Sequence, residues 1–219
     1  MLDESNLIQK IAIWTLPVVL AITVHEVAHG WVALRCGDRT AQMMGRLTLN
    51  PIKHIDPIGT LLVPGILLLL GGFVFGWAKP VPVTWENLRR PKLDMAIVAA
   101  AGPFSNFIMA LIWAILLKLG LTVGGTWGWF SQPIVHMAQA GITINLVLMV
   151  LNLIPIPPLD GGRIAVGLLP GPLAWQLNRV ERFGMIIVLG LLFTGALSWI
   201  MSWPMSALGR IVYSLVGLH

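Results

Sequence analysis

Charged side chains are scarce in this 219-residue sequence: 11% of it is Asp, Glu, Lys or Arg. A water-soluble domain of this length carries roughly 25%. The charge available is too little to cover a water-facing shell, so lipid must cover much of the surface. Cysteine is scarcer still. Cys36 stands alone, which excludes an intramolecular disulfide and any cysteine-based zinc site. The sequence also lacks an internal repeat, a low-complexity tract and a soluble appended domain. No small-residue cleavage site follows the first apolar run, so MLDESNLIQK is expected to lead into a retained first span and not a removed signal peptide. The net charge of +5 does not point to nucleic acid. Its basic residues flank apolar runs and form no aromatic-interleaved stripe.

Apolar residues make up 57% of the chain, and the mean hydropathy is +0.84. They collect in runs at 11–24, 58–78, 95–117, 133–154 and 183–203. Residues 7–34 predict one long helix, with Pro17 as a kink. Residues 35–57 are polar, turn-rich and basic, so they belong outside the bilayer core. Pro64, Gly65, Gly71, Gly72 and Gly76 interrupt 58–78, which predicts a re-entrant segment buried in protein. KPVPV (79–83) predicts an extended segment, because its prolines keep it out of helix. Spans follow at 94–118 and 133–154, separated by a Gly/Trp-rich loop at 119–132. Residues 171–182 read as a surface helix, 183–203 as a last span and 204–219 as an interfacial tail. The expected fold class is an all-α polytopic membrane protein forming one domain over 1–219. It has about four transmembrane helices, the re-entrant segment and a small extended or β-hairpin element.

Charge placement orients the chain. With the first helix running outside to inside, eleven of the 14 Lys and Arg fall on the inner side, leaving Lys10, Lys118 and Arg210 outside. The positive-inside rule favours that split. It requires 58–78 to enter and leave on one side, and it places the chemistry below toward the cytoplasmic face of the cell membrane.

The chemistry sits in HEVAHGW. On a helix His25 and His29 share a face, so two neutral imidazoles can bind one metal ion, and zinc suits them. Glu26 lies beside the first ligand, where it can take a proton from a metal-activated water and deliver it to a leaving amine. Shuffling this composition would produce HExxH on the order of 0.002 times, and a carboxylate with two histidines in an apolar span is costly unless functional. A catalytic zinc needs a third protein ligand and an open position. Asp160, in PPLDGGR at the end of a span, is the best candidate; its bland reading is a turn-capping aspartate. His136 lies at the opposite end of its span. His54 and Asp56, in the inner loop, remain open as alternatives on spacing alone.

HEVAHGW, AGPFSN (101–106) and NLIPIPPLDGGR (152–163) together resemble the site-2 protease family of intramembrane zinc metalloproteases. RLTLNPIKHIDPIGT and GWAKPVPV resemble in particular its compact bacterial branch without a PDZ or CBS domain. The resemblance covers about residues 20–165. It implies one Zn2+ held by His25, His29 and Asp160, with Glu26 as catalytic base. It matches Asn152 to the family's motif asparagine, and Gly102 with Asn106 to its Gly-x-x-x-Asn motif. Catalytic assistance and close helix packing both account for that last pair. The implied reaction is hydrolysis within or near transmembrane segments of membrane-protein substrates, that is, regulated intramembrane proteolysis.

Two other functions fit part of the pattern. A metal transporter or sensor would use the same His and Asp ligands, but has no need of a glutamate beside them. An inactive relative serving as a scaffold has no reason to keep all four central residues. KPVPV is expected either to offer an extended edge to an unwound substrate, by strand addition, or to act as a rigid connector.

Overall fold

The computed structural model of the protein describes residues 7–62, 66, 76, 78–123 and 128–218. Seven α-helices are described: α1 (Leu7–Cys36), α2 (Thr40–Met43), α3 (Pro91–Val123), α4 (Gly128–Asn152), α5 (Asp160–Leu168), α6 (Gly171–Phe193) and α7 (Ala196–Leu215). Three of them are long and apolar enough to cross a membrane: α1, α3 and α4. The bent pair α6–α7 makes a fourth candidate if it is one span. The chain is therefore a multi-pass membrane protein.

α3 explains how such a helix is partitioned. Ile97, Phe104, Ile108, Ile112, Ile115 and Leu119 recur at three-, four- and seven-residue steps and are all exposed, forming an apolar stripe suited to lipid tails. The opposite face carries Ala99, Gly102, Asn106, Ala110, Ala114 and Leu117, all buried. Small residues there let backbones approach, which is how helices associate without a hydrophobic drive between them. Ala110, Trp113, Ala114 and Leu117 pack with Val135, Ala138, Ile142 and Leu146 of α4 and Val212 of α7. A methyl group on Gly141 would strike the Trp113 indole, so glycine makes room for that ring. α1, α3 and α4 all pack on one another, and α5 lies against α3.

The C-terminal third differs from expectation. Residues 171–203 do not divide into a surface helix and a later span, because α6 runs unbroken from Gly171 to Phe193. The chain then bends by 84° into α7. Gly195 sits at φ +75°, where glycine carries no Cβ penalty, and Thr194 turns its hydroxyl back onto the Gly190 carbonyl. The expected loop at 119–132 is also narrower, since α3 continues its apolar pattern to Val123 and α4 begins at Gly128.

Among the described residues there is no β-strand and hence no hairpin. Residues 78–84 are extended, as their prolines require, but they make no ladder. The reason is where the amides go. Pro80 and Pro82 have none, the Lys79 N–H donates to the His54 carbonyl, the Val81 N–H to Glu26 and the Thr84 N–H to Asp38. Arg46 clamps the same segment by donating to the carbonyls of Lys79 and Pro80 at 2.9 and 3.3 Å. The expected re-entrant segment lies largely outside the described residues; its start, Pro57–Leu62, is a turn of π-helix.

Candidate metal centre

His25 and His29 stand one turn apart on α1, and both are buried. Their rings pack edge to face at 4.6 Å between centroids. Against them lies Gly102 of α3. A methyl group there would come to 2.6 Å of His25 Nε2 and closer still to His29 Nε2, so only glycine admits both imidazoles. Gly102, for which catalytic assistance and close helix packing were both open, packs here against the histidines themselves.

Each ring is oriented through its other nitrogen. His29 Nδ1 lies 2.7 Å from the Val98 carbonyl, which can only accept, so Nδ1 carries the proton. His25 Nδ1 lies 2.6 Å from Asn106 Oδ1 and donates to it. Both Nε2 atoms are therefore left with free lone pairs, 3.0 Å apart. Asn106 is fully buried, and its side-chain oxygen is the partner of His25 Nδ1.

Asp160 completes the group from α5, where it is the first helical residue. A carboxylate is favoured there by the amide dipoles at the helix N-terminus. Gly161 and Gly162 hold that helix end close: a Cβ on either would strike the backbone of Leu153–Ile154 or Ile156–Pro157. This explains why two glycines follow the aspartate. Arg163, the one neighbour able to neutralise Asp160 locally, turns away to Glu181 at 3.9 Å and over the Trp85 ring. Asp160 Oδ2 instead lies 3.2 Å from His25 Nε2 and 3.3 Å from His29 Nε2.

These three atoms fit zinc. Zn–N and Zn–O bonds of ~2.0–2.2 Å in a tetrahedron place neighbouring ligand atoms roughly 3.3–3.5 Å apart, against 3.0–3.3 Å observed. Two imidazole lone pairs and a carboxylate oxygen converge, and buried Asp160 Oδ2 has no hydrogen-bond donor. Such a cluster of acceptors calls for a cation. Among the described residues it is the group of His, Cys, Asp and Glu placed to hold one.

Glu26 also lies on α1, and its Oε2 accepts a 2.7 Å hydrogen bond from the Val81 N–H. The extended segment thus touches the carboxylate next to the first histidine. Asn152, at the end of α4, donates an amide hydrogen to the Leu148 carbonyl of its own helix. The two alternatives left open by spacing have other engagements. His54 Nε2 pairs with the Thr48 carbonyl at 2.9 Å, and Asp56 accepts from the amides of Ile58 and Gly59. His136 stands apart from the group as well.

Several residues escaped sequence reasoning. Asp38 and Arg46, both buried, organise the loop beside Glu26, and Asn145 is fully buried against Asn106. Asn145 had a usable signal, an amide in the middle of an apolar span. Asp38 and Arg46 had none, because a polar loop is full of such residues.

Comparison with known proteins agrees with the geometry. The profile of peptidase family M50 matches residues 13–126 and 122–195. YwhC of Bacillus subtilis, which carries the provisional name of zinc metalloprotease, is 42% identical over 193 residues, 88% of this chain and 84% of that protein. Rip2 of Mycolicibacterium smegmatis, provisionally named likewise, is 34% identical over 82% of this chain and 66% of its own length. The protease RseP of Yersinia pestis is 28% identical over 74% of this chain, which spans 37% of that longer protein. No solved structure matches. With a family profile over most of its length, and a His, His and Asp group set for a metal at its centre, the chain belongs to peptidase family M50, the zinc metalloproteases of the site-2 protease type.

Proposed function

We propose that this zinc metalloprotease is an intramembrane endopeptidase, cleaving within or near transmembrane segments of membrane-protein substrates. It works as one membrane-embedded domain in the cytoplasmic membrane, with its active site toward the cytoplasmic side. The observation that carries the reading is the convergence of His25, His29 and Asp160 at 3.0–3.3 Å on a bundle of apolar, membrane-length helices.

In this reading His25, His29 and Asp160 hold one zinc ion and leave a fourth position open. Bound there, zinc polarises the scissile carbonyl and lowers the pKa of a water to ~7. Glu26 does the proton work. It removes a proton from the water that attacks the carbonyl carbon, then gives one to the nitrogen as the C–N bond breaks. The Val81 N–H holds one carboxylate oxygen, so the other keeps a fixed aim. Asn106 positions His25. Asn152 has one amide hydrogen on Leu148 and a second for the substrate carbonyl oxygen. The substrate helix must unwind locally, because a helix hides its backbone hydrogen bonds.

Trapping on Glu26→Gln protein in native membranes tests this. Trapped proteins should be membrane proteins which the unmutated enzyme, in lipid vesicles, cuts inside or beside an apolar run, and a chelator should stop the cut. Products cut only in soluble domains far from any span, or zinc transit across vesicles without proteolysis, would overturn it.

A further inference from the structure

Asn145 of α4 is fully buried, lies 15 residues before Asp160 and touches neither histidine by any bond described above. We propose that it is a positioning residue for the metal centre, setting the proton position on His25 through Asn106. The inference rests on the reading of His25 as a zinc ligand.

The polarity of the chain can be worked out from its ends. Asn145 Nδ2 lies 2.8 Å from the Gly141 carbonyl. A carbonyl only accepts, so the NH2 of Asn145 faces it, and Oδ1 of Asn145 faces Asn106. Asn106 Nδ2 donates to that oxygen at 2.9 Å, and also to the Ala21 carbonyl at 3.3 Å. Asn106 Oδ1 is thereby turned to His25 Nδ1, 2.6 Å away. An amide oxygen accepts, so Nδ1 must carry the hydrogen and Nε2 must carry the lone pair.

His29 needs no such device, because the Val98 carbonyl settles its tautomer directly. His25 has a side-chain amide as its partner, and an amide can flip end for end. Flipped, Asn106 would present NH2 to Nδ1 and favour the tautomer whose Nε2 bears hydrogen. The flip is opposed by Ala21 at the longer distance and by Asn145 at the shorter one. Asn106 and Asn145 both have 0% exposure, so no bulk water is at hand to replace either bond. Three helices, α1, α3 and α4, are thus tied to one ring nitrogen.

The test uses full-length protein in nanodiscs, with zinc affinity read by chelator competition and ligand geometry by the visible spectrum of the cobalt-substituted protein. Asn145→Leu keeps the branched shape at a larger volume and removes the acceptor. It should weaken zinc binding on the order of tenfold, as outer partners of ligating histidines do, and alter the cobalt spectrum. Asn145→Ala, which makes no steric demand, should weaken it likewise and serves if the leucine variant does not fold. Because Asn145 acts through Asn106, Asn106→Ala combined with Asn145→Ala should lose no more affinity than Asn106→Ala alone. Unchanged affinity and spectrum in folded Asn145→Ala, or losses that multiply in the double variant, would overturn the inference. If His25→Ala itself keeps full zinc affinity, the fault lies with the ligand assignment instead.

Discussion

Gly102 lacks a side chain where two imidazoles need the room, and that is a prediction at the scale of one residue. Gly102→Ala should leave the helices assembled but push His25 or His29 off its position. Chelator competition should then read zinc affinity lower by at least about tenfold, the order of loss typical when a ligand's surroundings are disturbed. Gly190→Ala is the control. It lies on α6 with nothing within 4 Å of an added Cβ, and should bind zinc as the unmutated protein does. Much of this site was legible in the sequence. HExxH fixes its own geometry because helical spacing is rigid, and LDGG brought a carboxylate with two glycines to a span end. The partners of the histidines were not legible. Val98 contributes a backbone carbonyl, which any residue type would supply.

The extended stretch 78–84 shows at the level of an element what sequence reading resolves and what it misses. Its prolines revealed its conformation, while its partners depend on which loop folds back onto it. Asp38 is central to that. Its Oδ1 accepts from the Thr40 N–H and hydroxyl and from the Asn87 amide, and its Oδ2 accepts from the Thr84 N–H. Burial pushes this carboxyl upward, but the hydrogen bonds from Thr40, Asn87 and Thr84 outweigh it and hold the group below its ordinary value. A folded-state value below the unfolded one means the contribution is fully present above the unfolded value, about 3.9, and is lost as pH falls through the folded one. Asp38→Asn should therefore be less stable than the unmutated protein at neutral pH, by about 1–3 kcal/mol. That gap should stay constant down to roughly pH 5 and shrink below about pH 4. Denaturant unfolding of both proteins between pH 3 and 7 measures it; a gap independent of pH would show that the carboxylate charge is not what the loop uses.

The same hydrogen bonds constrain the whole molecule. Asp38 follows α1 and Thr84 precedes α3, yet their contact puts both on one side of the membrane. We therefore predict that the chain between them leaves and returns on one side, the arrangement expected from the distribution of Lys and Arg. In protein with Cys36 replaced by Ser, cysteines at exposed Arg39 and Glu86 should react with an impermeant thiol reagent from the same face, and one at exposed Thr122, at the far end of α3, from the other. Labelling of Arg39→Cys and Glu86→Cys from opposite faces would refute this topology. Apolar runs revealed the membrane helices because lipid demands them. The bend between α6 and α7 was hidden inside such a run, since a left-handed glycine interrupts geometry without interrupting hydropathy.

The most direct measurement of the central claim is zinc content and proteolysis, taken together on purified Glu26→Gln and Asp160→Ala proteins. Glutamine can still accept the Val81 N–H, so Glu26→Gln should keep about one zinc per chain and lose cleavage by several orders of magnitude. Asp160→Ala should lose both zinc and cleavage. Full zinc and full activity in Asp160→Ala would contradict the account.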